Sequence, residues 1–190
     1  MADIELKRWK RVEYERMVDC GVLGSGDRVE LIDGLLLVAE PQSSPHYTAI
    51  MLVERALARA FGDGWVIRAQ APVALDDASE PEPDVAVVRG SIRDYSTAHP
   101  AEPILVVEAS VSSLAFDREH KGSLYARAGR PEYWIVNLVD RVLEVYRGPI
   151  ADSSAPFGWR YDQREVLGGS ARVTPLAAPR SSIAVAQLLP

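Results

Sequence analysis

The segment Pro103-Ile104-Leu105-Val106-Val107-Glu108-Ala109-Ser110 ends an uninterrupted apolar run on a carboxylate. The aliphatic residues Ile104 to Val107 predict a strand covered on both faces. A fold built on such a strand needs layers on both sides of its sheet. It must also pair Glu108, neutralise it or give it a cation, because an unpaired buried carboxylate is costly. Pro83-Asp84-Val85-Ala86-Val87-Val88 repeats the theme 24 residues earlier, with an acid beside a β-branched run. Lys121 follows Glu108 by 13 residues, on a predicted helix. Two carboxylates on neighbouring strands with a lysine close by suit a hard divalent cation held against a phosphate.

The remaining elements supply the layers. Residues 8 to 20 are good helix formers with Gly21 as a stop. Leu23 to Asp27 reads as a loop. Arg28–Ile32 and Leu35–Ala39 flank Asp33-Gly34, a strong hairpin signal. Alternation puts Glu30 opposite Val29 and Leu31, on the face shared with Arg28 and Ile32. After a Ser/Pro-rich turn, Ile50, Val53, Leu57 and Phe61 recur at helical spacing between His46 and Phe61. Strands are predicted at Trp65–Gln70, Pro72–Leu75, Asp84–Arg89, Tyr133–Asn137, Val142–Tyr146 and Trp159–Leu167. A helix is predicted from about Asp117 to Ala128, capped by Asp117 or Ser113 and closed by Gly129-Arg130-Pro131. Ile183–Leu189 reads as a short terminal segment. This order predicts an α/β class of α+β type, a mixed sheet with helices packed on it.

At 190 residues, with 47% apolar and 25% charged side chains, the chain is expected to form a single domain over 1–190. No apolar stretch is long enough to span a membrane. The N-terminus lacks the apolar region of a signal peptide. The single cysteine, Cys20, excludes an internal disulfide framework and fits a reducing compartment, so a cytoplasmic location is expected. The net charge of −6 argues against a general polyanion binder, but not against a nuclease whose groove is locally basic.

Each candidate residue also has a plainer role. Asp84 suits a strand-initiating turn after a proline. Glu108 could form a structural ion pair with Lys121 or Arg118. Lys121 could be a solvated helix residue paired with Asp117. Glu30 could pair with Arg28 or another neighbour. His46 could simply start its helix. Tyr125, Tyr133 and Trp134 read as packing aromatics. Ser110 has no base nearby in sequence, and His46, His99 and His120 lie in no triad-like context.

Taken together, several motifs resemble the PD-(D/E)xK nuclease superfamily, which has the restriction-endonuclease-like fold. More closely they resemble a bacterial family known as putative restriction endonucleases, formerly a domain of unknown function. The stretches that carry the resemblance are Val29–Gly34, Ser44-Pro45-His46, Glu82–Val88, Leu105–Ser110, Asp117–Lys121 and Tyr125–Val136. They fall in the family's order over roughly residues 28 to 147. The resemblance implies a nuclease core there, with an N-terminal helix and C-terminal strands as extensions. It implies Asp84 and Glu108 as metal-binding carboxylates and the Ala109 carbonyl as a third ligand. Lys121 becomes the lysine that offsets phosphate charge or helps activate water. Glu30 matches an upstream acid found near such sites, and His46 matches the family's histidine. Ser110, His46 and Asp117 are the expected substrate-contacting residues. In the superfamily pattern the lysine lies two residues after the second acid, which here is Ser110, so Lys121 is its substitute. The family also tends to have proline and threonine near Ser112, where this chain reads Ser110-Val111-Ser112-Ser113.

These roles make physical sense for phosphodiester cleavage. Magnesium, or manganese in its place, takes oxygen ligands, orients the phosphate and eases deprotonation of water. A fixed ammonium offsets charge that spreads over the phosphoryl oxygens. The turn around Asp117 to Lys121 is placed to add helix-dipole attraction for an anion. The expectation is a metal-dependent endonuclease acting on DNA, with a homodimer as the assembly because one site per chain cuts two strands most simply as a pair. Specificity is expected from loops 90–102 or 148–158. A non-catalytic accessory protein on a nuclease-like scaffold is the alternative, and a hydrolase of a small phosphate ester is a third reading.

Overall fold

The structure, a computed structural model, describes residues 6–24, 26–39 and 41–190. In chain order the elements are α1 (Arg11–Asp19), β1 (Val29–Ile32), β2 (Leu35–Val38), α2 (Ser44–Phe61), β3 (Trp65–Ala69), β4 (Val85–Arg89) and β5 (Leu105–Ser110). There follow α3 (Leu114–Phe116), a π-helical turn (Asp117–Lys121), α4 (Gly122–Arg127), β6 (Glu132–Asn137), β7 (Val142–Ala151), β8 (Trp159–Gly168), β9 (Arg172–Val173) and β10 (Ile183–Ala184). Short 3-10 helices occupy Ile92–Tyr95 and Val185–Gln187. The class is mixed α/β, as the sequence pattern predicts. The first five residues, where the leader signal was sought, lie outside the described residues, as does Ser25 in the expected loop 23–27.

The main sheet runs β3-β4-β5-β6-β7-β8. Among the described residues of this sheet, only β5 and β6 pair in parallel. Their connection contains the α3–π–α4 helix, as a parallel crossover requires. All six residues of β5 are buried, as the aliphatic run demands. Leu105, Val107 and Ala109 pack with Ile50, Val53 and Leu57 of α2 on one face. Val106 packs on the other face with Tyr125, Ala126, Tyr133 and Ile135. Alternation therefore sends Glu108 and Ser110 to the α4 side.

The Asp33-Gly34 signal makes the β1–β2 hairpin, with Asp33 at φ 48 and Gly34 at φ 78. Both positive values match the tight turn that suits strand twist. A Cβ at Gly34 would lie 3.0 Å from the Arg8 side chain, so the turn also needs glycine for space. The hairpin docks through the bridge between Leu31 and Glu80.

Three predicted elements differ. The strand predicted at Val142–Tyr146 runs on to Ala151, so the start of the expected loop 148–158 is paired with β8. Pro72–Leu75 forms no strand, because its amides go to scattered partners. Val73 donates to Pro81, Ala74 to Pro100 and Leu75 to Ser79. The predicted continuous helix from Asp117 starts earlier, at Leu114, and is interrupted by the π-turn.

Two further acids are buried in the sheet without being ionic orphans. Glu132 accepts from Arg147, the Trp134 indole and the Leu176 amide. Glu144 accepts from Arg118, Asn137, Tyr146 and Arg164. Burial alone would raise the Glu144 pKa. Hydrogen bonds from Arg118, Tyr146 and Asn137, with the charge of Arg164, reverse this and hold it at about 2. A folded value below the ordinary 4.5 means this stability is present above pH 4.5 and lost as pH falls through about 2. It amounts to at most about 3 kcal/mol, reduced by solvent screening at the partly exposed arginines. Urea unfolding between pH 5 and pH 2 (roughly the two ends of that window) is expected to show a smaller stability loss in Glu144→Gln than in the wild-type chain. An equal loss would show that other carboxylates set the acid limb.

Candidate active site

Strand register builds the site. Val85 pairs with Val107, so Asp84 and Glu108 meet across adjacent antiparallel strands on the α4 side. The Ala109 amide donates to Asp84 Oδ2 (2.8 Å), and the Asp84 amide donates to Glu108 Oε2 (3.2 Å). His46 arrives from the first turn of α2, whose N-cap Ser43 accepts from the His46 amide. His46 Nε2 lies 3.0 Å from Asp84 Oδ1.

Lys121 arrives from the π-turn. One extra residue per turn changes the direction of a side chain, and such bulges recur at functional sites. The Lys121 ammonium lies 3.1 Å from Glu108 Oε1 and 3.5 Å from Glu30 Oε1. Tyr125, one helical turn on, donates to Glu108 Oε1 (2.9 Å). Glu30 also accepts from the Glu82 amide (3.0 Å), which ties the hairpin to the sheet. Asp117 accepts from the Ser110 and Ser113 hydroxyls at 2.7 and 2.6 Å.

These groups face a cleft of about 490 Å³. Glu30, Glu82, Asp84, Glu108 and Asp117 line it against Arg28 and Lys121, with His46 and Ala109 also on the wall. Burial raises the Glu108 pKa; Lys121 opposes the rise, while Asp84, Asp117 and Glu30 add to it. Burial also raises Asp117, against the pull of Lys121 and its two serine donors. Burial would lower Lys121, but Glu108, Glu30, Asp117 and Asp84 more than reverse this and hold it well above its ordinary value. The cleft thus holds more carboxyl groups than cations. Arg28 and Gln70, both on its wall, take positive φ (46 and 48), conformations uncommon for side-chain-bearing residues.

Residues 11–186 match the model of a family described as "Putative restriction endonuclease", Uma2. The chain belongs to that family. A crystal structure described as a putative nuclease belonging to DUF820, from Anabaena variabilis ATCC 29413, has a TM-score of 0.67 and 13% identity. The match covers 90% of this chain and 94% of that one. At that identity the likeness establishes the fold alone. No curated protein matches the chain.

Of the residues that the Uma2 resemblance singles out, the structure brings Glu30, His46, Asp84, Glu108, Ala109, Asp117 and Lys121 to one cleft. Ser110 is the exception. It is fully buried, its hydroxyl donates to Asp117, and it is not on the cleft wall. Its expected contact with substrate is therefore replaced by support of Asp117. Lys121 pairs with Glu108 and Glu30, not with Asp117, and Arg118 pairs with Glu144 instead. Tyr125 was legible only as a packing aromatic, yet its hydroxyl holds the central carboxylate. Its position four residues after Lys121 was the available signal, since the two share a helix face.

A divalent metal is what the fold family implies, and the donor chemistry can be tested against it. Asp84 and Glu108 offer carboxylate oxygens and Ala109 a main-chain carbonyl, the oxygen set that magnesium prefers. The surplus of carboxylates over cations in the cleft fits a cation too. Among the described residues no cluster of three or more His, Cys, Asp or Glu side chains is arranged to hold a metal ion. A set of two carboxylates and a carbonyl has no such cluster.

The ion pairing makes its own prediction. Lys121→Met leaves Glu108 and Glu30 buried without their ammonium and is expected to cost about 3–5 kcal/mol in chemical denaturation. Adding Glu108→Gln is expected to recover much of that loss. If the double variant is no more stable than Lys121→Met, the ion pair is not what Lys121 contributes.

Proposed function

We propose that this chain is a metal-dependent nuclease that hydrolyses phosphodiester bonds in DNA. The observation that carries the proposal is the meeting of Asp84, Glu108 and Lys121 in one cleft, set by register and by the π-turn. The family described as putative restriction endonuclease supports the same reading.

In this reading Asp84, Glu108 and the Ala109 carbonyl hold the cation. A magnesium or manganese ion bound there would supply Lewis-acid polarisation of the phosphate and a more acidic water. Lys121 faces the developing charge on the phosphoryl oxygens and stabilises it. Tyr125 and the Asp84 amide keep Glu108 oriented, and its own raised pKa keeps Tyr125 protonated as a donor; burial raises it first, and Glu108 second. His46 orients Asp84 at the mouth of α2. Glu30 shares Lys121 with Glu108 and limits where its ammonium can sit. Two copies related by a two-fold axis would present one site to each strand of a duplex.

One observation favours the second reading, a non-catalytic accessory protein. Every carboxylate oxygen of Asp84 and Glu108 already faces a protein partner. The two readings separate in one set of samples, with magnesium and manganese titrated calorimetrically into wild type and Glu108→Gln alongside a DNA cleavage assay. The nuclease reading expects binding in wild type, its loss in Glu108→Gln, and cleavage lowered roughly 100- to 1,000-fold or more in Glu108→Gln and Asp84→Ala. Wild type that neither binds metal nor cuts would establish the accessory reading.

A further inference from the structure

A second concavity lies at the far end of α2 from His46. It has a volume of about 590 Å³, and its wall carries Arg55, Arg59, Arg172, Ser181, Ser182 and Gln187. No Asp or Glu lines it. Acids outnumber bases 27 to 21 in this chain, so an arginine triad with no carboxylate beside it runs against the composition. Arg55 and Arg59 stand four residues apart on one helix face, where like charges repel. Among the described residues, none of the three arginines forms an ion pair.

The wall is held in place by its own contacts. Arg172 pairs with Ala184 across β9 and β10. Its guanidinium is fixed by Ser182, donating through Nε to the hydroxyl (2.8 Å) and through a terminal nitrogen to the carbonyl (2.6 Å). The Ser181 hydroxyl donates to the Ala60 carbonyl (2.6 Å) and pins this segment to the end of α2. Ser182 occupies the Nε edge of Arg172, which leaves its remaining N–H groups and the forks of Arg55 and Arg59 to match phosphate oxygens. The acidic cleft and this basic groove therefore share one rigid helix and carry opposite charge.

We propose that the groove grips the phosphodiester backbone of the substrate away from the point of cleavage. This rests on the nuclease reading of the Asp84–Glu108 cleft. Arg59 lies 13 residues beyond His46 on α2, an axial rise of about 20 Å and a turn of roughly 140° round the helix. A strand that reaches both therefore spans at least about six nucleotides. The arrangement gives a chain of net charge −6 a local site for a polyanion, because three of its 21 lysines and arginines share a groove that no acid lines. It also separates the tasks, since the cleft itself repels a phosphate until a cation is present.

The test is fluorescence anisotropy with a long labelled DNA duplex across a salt series, without divalent cation so that nothing is cut. Wild type is compared with Arg55→Gln/Arg59→Gln, Arg172→Gln and the charge-preserving Arg55→Lys/Arg59→Lys. The Gln double variant is expected to bind roughly tenfold or more weakly, with a log K against log salt slope shallower by about two. The Lys double variant is expected to keep the wild-type slope, which a merely misfolded pair would not. Wild-type-like affinity and slope in the Gln double variant would overturn this inference and leave the nuclease reading standing. Wild type that neither binds duplex nor, with metal added, cuts it would overturn both. Tight binding of inorganic phosphate that duplex cannot displace would overturn the backbone role in favour of a small-anion site.

Discussion

The ion pair between Lys121 and Glu108 is the contact on which the other features depend. Glu108 sits at the end of the central strand, only 3% exposed, where an uncompensated charge would be very costly. Meeting that demand shapes the surrounding chain. The β5–β6 crossover must bring a cation back over the strand it has just left, and the π-turn at Asp117–Lys121 does so. The hairpin must bring Glu30 beside the same ammonium, and its docking on Glu80 and Glu82 achieves this. Tyr125 and the Asp84 amide then occupy positions on Glu108 that solvent would otherwise fill.

The protein buries carboxylates in two different ways. Glu144 has two arginines, a tyrosine and an asparagine donating to it, and its pKa falls to about 2 against the pull of burial. Glu108 shares one lysine with Glu30 and faces Asp84 and Asp117, and its pKa rises. Both side chains are shielded from solvent, but Glu108 lies deeper among protein atoms. The second difference is the number of countercharges supplied. A site saturated with guanidinium has no use for a further cation, whereas one with surplus carboxylate is under electrostatic pressure to take one. The same reasoning, with the sign reversed, applies to the arginine wall at the far end of α2.

Much of this site was legible as a set of residues and little of it as an arrangement. Asp84 and Glu108 announce themselves because each is an acid attached to an aliphatic run. Lys121 follows from the spacing of the resemblance. Ser110 misled because its sequence position, two residues after the acid, is where a functional side chain belongs in the superfamily pattern. In the fold that position points into the core and supports Asp117. Tyr125 was hidden by its type, since an aromatic on a helix reads as packing. Arg55, Arg59 and Arg172 were invisible as a group because the third is more than a hundred residues from the first two.

The sequence alone determined which segments are buried, since hydrophobic period and turn chemistry are local properties of the chain. The β5 run, the Asp33-Gly34 turn and the apolar stripe of α2 were fixed that way. Segments such as Pro72–Leu75 went the other way, because strand formation needs a partner edge and local composition supplies none. Tertiary structure alone decided the strand register that sets Asp84 opposite Glu108, the π-turn that aims Lys121, and the number of countercharges each buried acid receives. Register and countercharge are relations between distant segments. They are fixed by how the whole sheet and its helices pack, and no stretch of sequence carries them by itself.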